Sequence, residues 1–194
     1  MFTRKNQSGL SLVEAIIFIV LVGVAIAGVM GVINTVTMHS GDPLVRKQAV
    51  AIAEALLEEV RLMPMTYCDP DDANVLNATS GSGCGLAANN QTTTAPQTGE
   101  SRYSTSAPFD NVADYNGFNT ATASPTGIRH IDGGLINGLS GYSASITVVS
   151  SALAGTGYTV AAGTAALITV TVTGPGGASV QLQSYRSRHA PRNP

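Results

Sequence analysis

Glu14, Cys68, Cys84 and the polar run Asp69, Asp71, Asp72 and Asn74 are the side chains whose type and spacing could do chemistry. Glu14 stands at the margin of residues 15–33, a stretch with no charged or strongly polar side chain. As a helix that stretch spans about 28 Å at about 1.5 Å per residue, close to the hydrocarbon core of a bilayer, about 30 Å. A carboxylate in such a segment costs a few kcal/mol unless a partner neutralises it or it lies near the interface. Glu14 sits where a partner could reach it. Asp69, Asp71, Asp72 and Asn74 gather hard oxygen ligands of the kind calcium prefers, so a loop-stabilising calcium ion is the one cofactor the sequence raises. The run departs from the EF-hand pattern, because Ala73 replaces the third ligand and no glycine follows in the required place. Aspartate and asparagine are also ordinary turn residues.

Other chemistries find little support. His39, His130 and His189 are scattered, and no nucleophile elbow, zinc-binding helix or phosphate loop accompanies them. His130, Ile131 and Asp132 precede a Gly-rich turn and read as a solvated loop. No enzymatic activity is expected. The chain has 194 residues, 11% of them charged, and a formal net charge of −2. Nothing in this balance suggests nucleic-acid binding.

These side chains must be positioned by a small number of elements. After the apolar run, Asp42 and Pro43 announce a second helix, aspartate as cap and proline in the first turn. Val45, Ala49, Ile52, Leu56, Val60 and Met63 follow at spacings of three or four and give it one apolar face, so residues 43–63 read as an amphipathic helix packed on a sheet. Ser40 and Gly41 before it predict a kink or short break. Gly23, Gly28 and Gly31 lower helicity in the apolar segment; they either permit local unwinding or allow close helix packing.

Beyond Pro64 the pattern turns polar and aperiodic. Residues 64–140 read as a long loop and a surface-exposed functional face. Strand signals return at 142–150, 165–173 and 178–186, rich in Val, Ile, Thr and Tyr. Gly174-Pro175-Gly176-Gly177 marks a turn between the last two. A further weak strand falls at 156–161. Ile168, Val170 and Val172 alternate with threonines and are expected to face the amphipathic helix. The basic end, with Arg186, Arg188, His189 and Arg192, reads as an exposed tail or as a contact for an acidic neighbour.

The stretch Ser8-Gly9-Leu10-Ser11-Leu12-Val13-Glu14-Ala15 resembles the class III signal of type IV pilins and type II secretion pseudopilins. Leu10 stands where that family most often has phenylalanine or methionine. The resemblance implies that a prepilin peptidase cuts after Gly9, that Leu10 becomes the N-methylated mature N-terminus, and that Glu14 pairs with a neighbouring subunit's N-terminus during assembly. It implies an α+β, type IV pilin-like fold: leader 1–9, transmembrane and assembly helix 10–40, and a head 41–194 with helix 43–63, loop 64–140 and sheet 141–187. The implied partners are the membrane, other pilins through the apolar helix, the peptidase and an inner-membrane assembly platform. The implied location is the inner membrane, single-pass, N-terminus cytoplasmic and head periplasmic, and then a surface pilus. Loss of Arg4 and Lys5 with the leader would take the formal charge from −2 to −4.

Two plainer readings compete for the N-terminus. An ordinary secretory signal would be cut after Ala25-Ile26-Ala27, but Glu14 would then lie inside its apolar region and the run continues past Ala27 to Ile33. An uncleaved anchor, with Arg4 and Lys5 holding the N-terminus in the cytoplasm, leaves Gly9 and Glu14 unexplained. It would make the chain a membrane-anchored binding domain.

Cys68 and Cys84 are the only cysteines. In an exported chain two cysteines most simply join, at a gain of about 3 kcal/mol for a loop of this size. Zinc is the weaker alternative, since two cysteines lack further ligands at a recognisable spacing.

Overall fold

The computed structural model describes residues 11–39, 42–91, 97–123, 125–155, 157–160 and 163–188. It divides into two compact units, Met1–Pro43 and Leu44–Pro194.

The first unit holds helix α1 (Leu12–His39), which runs without interruption through Gly23, Gly28 and Gly31. Its stretch Leu12–Val36 is long and apolar enough to cross a membrane. It is apolar all round rather than along one stripe, and the side chains of residues 11–36 are exposed. That is the pattern of a helix whose surroundings are lipid or other helices. The break expected at Ser40 and Gly41 lies outside the described residues.

The second unit is built on helix α2 (Asp42–Leu62). Ala49, Ile52, Ala53, Leu56 and Val60 form its buried stripe. They share one core with Ala144, Ile146 and Val148 of strand β1 (Ser143–Ser150) and with Ala166, Ile168, Val170 and Val172 of β4 (Ala165–Thr173). The helix therefore lies on the alternating apolar face of the sheet, as the threonine spacing of β4 requires. Burying each large aliphatic side chain contributes about 1.5–3 kcal/mol, and this contact concentrates most of them.

The sheet is antiparallel with strand order β1-β4-β5, where β5 is Ser179–Ser187. Its register pairs Ile146 with Val170 and Val148 with Ile168, and on the other side Val170 with Leu182. On the opposite face Gln181 and Gln183 donate amide hydrogen bonds to Thr171 and Thr169 at 3.3 and 3.1 Å. The turn between β4 and β5 uses Gly176 and Gly177 at positive φ, 70° and 79°, which side chains rarely adopt. Gly174 has a different reason to be glycine. A Cβ there would come within 2.7 Å of the Tyr142 ring and 2.8 Å of Val45 Cγ1.

Between β1 and β4 the chain makes a small hairpin, β2 (Leu153–Gly155) with β3 (Tyr158–Val160). The sequence signals only the second of these strands.

The segment 64–140 contributes more to the core than its polarity suggests. Val112, Tyr115 and Ile128 are buried in the same cluster as α2 and the sheet, and Phe109 and Phe118 pack against it. Phe109 meets the rings of Tyr115 and Phe118 edge-on at 5.2 and 6.5 Å. A 3-10 turn at Val112–Tyr115 carries Val112 and Tyr115, and a second follows at Thr120–Thr122. The segment also seals one edge of the sheet. Phe118 O accepts the Ile146 amide at 2.9 Å, Ile146 O accepts Gly117 N–H at 3.1 Å, and the side chains of Asn116 and Thr120 accept the amides of Val148 and Ala144.

Candidate functional site

Two places hold the side chains singled out by sequence. The first is the start of α1. Gly9 and Leu10 lie outside the described residues. Glu14 is exposed in the first turn of the helix. Ser11 precedes that turn, and its Oγ accepts the Val13 amide at 3.3 Å, as an N-capping side chain does. An acidic residue in a first turn favours the positive end of the helix dipole, so Glu14 suits helix initiation as well as a charged partner. Gly23, Gly28 and Gly31 leave open space where a Cβ would stand, so another helix could approach α1 closely along them.

The second place is the loop that follows α2. Cys68 and Cys84 form a disulfide with their Cα atoms 5.4 Å apart. Beside it, Cys68 bridges to Asn90, with Asp69 N–H bonded to Asn89 O and Gln91 N–H to Tyr67 O, both at 2.8 Å. Asp72 is the hub of the enclosed loop. Its carboxylate accepts Asn74 N–H (2.8 Å), Gly85 N–H (2.9 Å), Leu86 N–H (3.1 Å) and Asn89 Nδ2 (2.9 Å). These bonds, led by the one from Gly85, hold its pKa down at about 2. Asn74 is committed as well, donating Nδ2 to Gly83 O at 3.0 Å.

The four residues considered as calcium ligands are therefore divided. Asp72 and Asn74 organise the backbone between 83 and 89. Asp69 and Asp71 instead converge with Asp110, each offering a carboxylate oxygen within 4.8 Å of the others. Asp114 and Glu100 stand close enough to act on the same group electrostatically. Burial, and then the neighbouring Asp69, Asp114 and Asp71, push Asp110 up to about 7. Burial, followed by Asp114 and Asp69, pushes Glu100 up to about 8. Asp114 is raised too, chiefly by burial, although it accepts Gln91 Nε2 at 2.8 Å and the Asn111 amide at 2.7 Å. The sequence reading missed Asp110, Glu100 and Asp114 because no local spacing ties them to Asp69.

A second polar network anchors the loop to α2. Arg102, 7% exposed, forms a two-point ion pair with Glu59 and donates to Arg129 O. Tyr115 donates its hydroxyl to the same Glu59 at 2.9 Å. Burial by itself favours loss of the guanidinium proton, but Glu59 outweighs it and the Arg102 pKa rises. Burial and then Glu59 raise that of Tyr115.

The basic end departs from expectation. Arg186 and Arg188 are not an exposed tail. Arg188 donates to the carbonyls of Thr66, Gln91 and Gly163 and lies 4.5 Å from the Tyr67 ring centroid, while Arg186 donates to Met63 O at 3.3 Å. The reason is that β5 ends against the loop, where backbone carbonyls accept a guanidinium. His189 and Arg192 lie outside the described residues. Asp132 Oδ1 accepts Gly134 N–H at 2.8 Å and closes the turn that holds His130.

Comparison with known proteins bears on the first place. Residues 4–30 match the prokaryotic N-terminal methylation motif. No curated protein and no solved structure is significantly similar to the chain. The motif, carried on a long apolar helix and accompanied by a helix-on-sheet unit, supports a type IV pilin-like or pseudopilin-like protein. That class is structural and associated with membranes.

Proposed function

We propose that this chain is a minor type IV pilin that acts in pilus assembly. The observation that carries this reading is the placement of Glu14. It lies within the methylation motif and in the first turn of a helix whose side chains from residue 11 to 36 are exposed among the described residues. In this reading a prepilin peptidase cuts after Gly9 and Leu10 is N-methylated. The subunit waits in the inner membrane with its head periplasmic, and the assembly platform then moves it into a surface filament. There Glu14 reaches the Leu10 amine of an adjacent subunit while the apolar helices bundle. A charge pair withdrawn from water is stable only with both members present, which makes Glu14 a register device.

Three segments favour a particular subfamily: the run Tyr67-Cys68-Asp69-Pro70-Asp71-Asp72-Ala73-Asn74, the helix end Leu56-Leu57-Glu58-Glu59-Val60, and Asp114-Tyr115-Asn116-Gly117-Phe118. They resemble the minor pilin MshD of the mannose-sensitive haemagglutinin pilus, and with that resemblance comes a part in surface adhesion. Because pseudopilins share the N-terminal signal, a minor pseudopilin of type II secretion is the second reading.

Mass spectrometry of the mature N-terminus, in cells with and without the prepilin peptidase, tests the pathway. A peptidase-dependent start at methylated Leu10 is expected. A start after Ala27, or an intact Met1, would replace assembly with a secreted or simply anchored binding domain. Deletion of the gene separates the two filaments, since loss of secretion with intact pili would identify the pseudopilin.

A further inference from the structure

We propose that Asp69, Asp71 and Asp110, with Glu100 beside them, form a calcium site that joins the cystine loop to the segment leading into the Val112–Tyr115 turn. Three observations carry this. The carboxylate oxygens of Asp69, Asp71 and Asp110 lie within 4.8 Å of one another, and two ligands on opposite sides of a calcium ion are about 5 Å apart. Asp69 is only 4% exposed and its Oδ2 is buried without a hydrogen-bond partner. Asp110 Oδ1 is orphaned in the same way, and Glu100 Oε2, also buried without a donor, has only the Asp69 carboxylate within hydrogen-bonding reach. A buried carboxylate oxygen without a donor is costly, and three from one acidic group share a common remedy in a cation.

The donor set selects the ion. It is all oxygen and all carboxylate, and the nearby sulfurs of Cys68 and Cys84 are locked in the disulfide. Zinc and copper favour nitrogen and sulfur ligands. Magnesium demands a tight octahedron, whereas calcium accepts six to eight oxygens in irregular geometry and suits groups held by loops. Asp69 Oδ1 already accepts the Asp71 amide at 2.7 Å, which fixes the orientation of the carboxylate and leaves Oδ2 for the ion. Asp71 is exposed, so the ion has a route in from solvent and room to keep water ligands. The site is independent of the pilin reading, since it lies wholly within the second unit.

The test uses the full chain in detergent, stripped with EDTA and titrated with calcium chloride by calorimetry, alongside thermal melting. One calcium per chain is expected, with an affinity of about 10⁻⁴–10⁻³ M as in other extracellular modules, and a higher melting temperature in calcium than in EDTA. Asp110→Asn and Glu100→Gln should each weaken binding at least about tenfold, since even outer-shell changes have effects of that size. Without calcium both variants should melt no lower than the unaltered chain, because each relieves repulsion among the carboxylates. That readout separates loss of a ligand from loss of the fold. Asp132→Asn should bind as before, since the Asp132 carboxylate caps the turn at Gly134 and is not one of the clustered groups. Absence of heat and of any melting shift, binding unchanged in Asp110→Asn, or an equal response to magnesium would each overturn the site.

Discussion

Arg102 grips Glu59 with two parallel hydrogen bonds, Nε to Oε1 at 2.7 Å and Nη2 to Oε2 at 2.6 Å, joining the loop to the helix across 43 residues of sequence. Replacing one member of such a pair leaves the other charged with little access to water. Arg102→Met should therefore lower stability by about 3 kcal/mol. Combining it with Glu59→Gln should recover part of the loss, because the orphaned charge is gone while the acceptor for Tyr115 remains. Urea titrations of the single and double variants measure both effects.

Cys84→Ser, or reduction of the unaltered chain, opens the loop around Asp72. The expected loss is about 3 kcal/mol in the chain-entropy model. Melting with and without reductant checks this, and reductant should not alter the Cys84→Ser variant.

Asp72 sets an acid limit on the same loop. Its pKa in the folded chain, about 2, lies below the ordinary value of 3.8. The unfolded chain thus takes up this proton first as the pH falls. The stabilisation is complete above about pH 4 and disappears as the pH drops toward 2. Asp72→Asn should lower the melting temperature at pH 7 and reduce its dependence on pH between 4 and 2. A variant with the slope of the unaltered chain would mean that Asp72 is not the group responsible.

Leu56 tests the helix-on-sheet contact. Leu56→Ala should destabilise the second unit by about 2–5 kcal/mol, and Leu56→Asp should prevent its stable folding. Unchanged melting in either variant would contradict the packing of α2 on β1 and β4.

Two proposed roles of Glu14, helix initiation and subunit pairing, can be separated. Glu14→Ala should leave the precursor in the membrane but lower its incorporation into filaments. Glu14→Gln keeps a polar group in the first turn while removing the charge, so it should fail similarly if pairing with an amine is what matters. Immunoblots of sheared filaments and of membranes measure the two pools, and normal incorporation of Glu14→Gln would assign the residue to helix initiation.

The parts of this fold governed by local periodicity were legible in the sequence. The spacing of Ala49, Ile52, Leu56 and Val60 locates the buried face of α2, and alternation at 165–173 matches β4 to the residue. The strands expected at 142–150 and 178–186 lie within a residue of β1 and β5. The loop was legible only in its punctuation. Tyr115, Phe109 and Phe118 enter the core from a stretch without helical or strand period, so nothing nearby marks them as buried. Asp110 and Glu100 reach Asp69 only through the folded path of the loop, and Arg188 finds its carbonyls 122 and 97 residues away. Side chains brought together over such distances leave no spacing to read.

The sheet's two borders are unequal. Residues 116–120 occupy the outer side of β1, whereas no strand among the described residues lies outside β5. Runaway cross-β stacking needs two receptive flanks on every molecule, one to accept and one to template the next. With a single receptive flank, an accidental meeting of two heads ends as a pair. The unit built on the sheet thus carries a chain terminator against sheet-mediated aggregation.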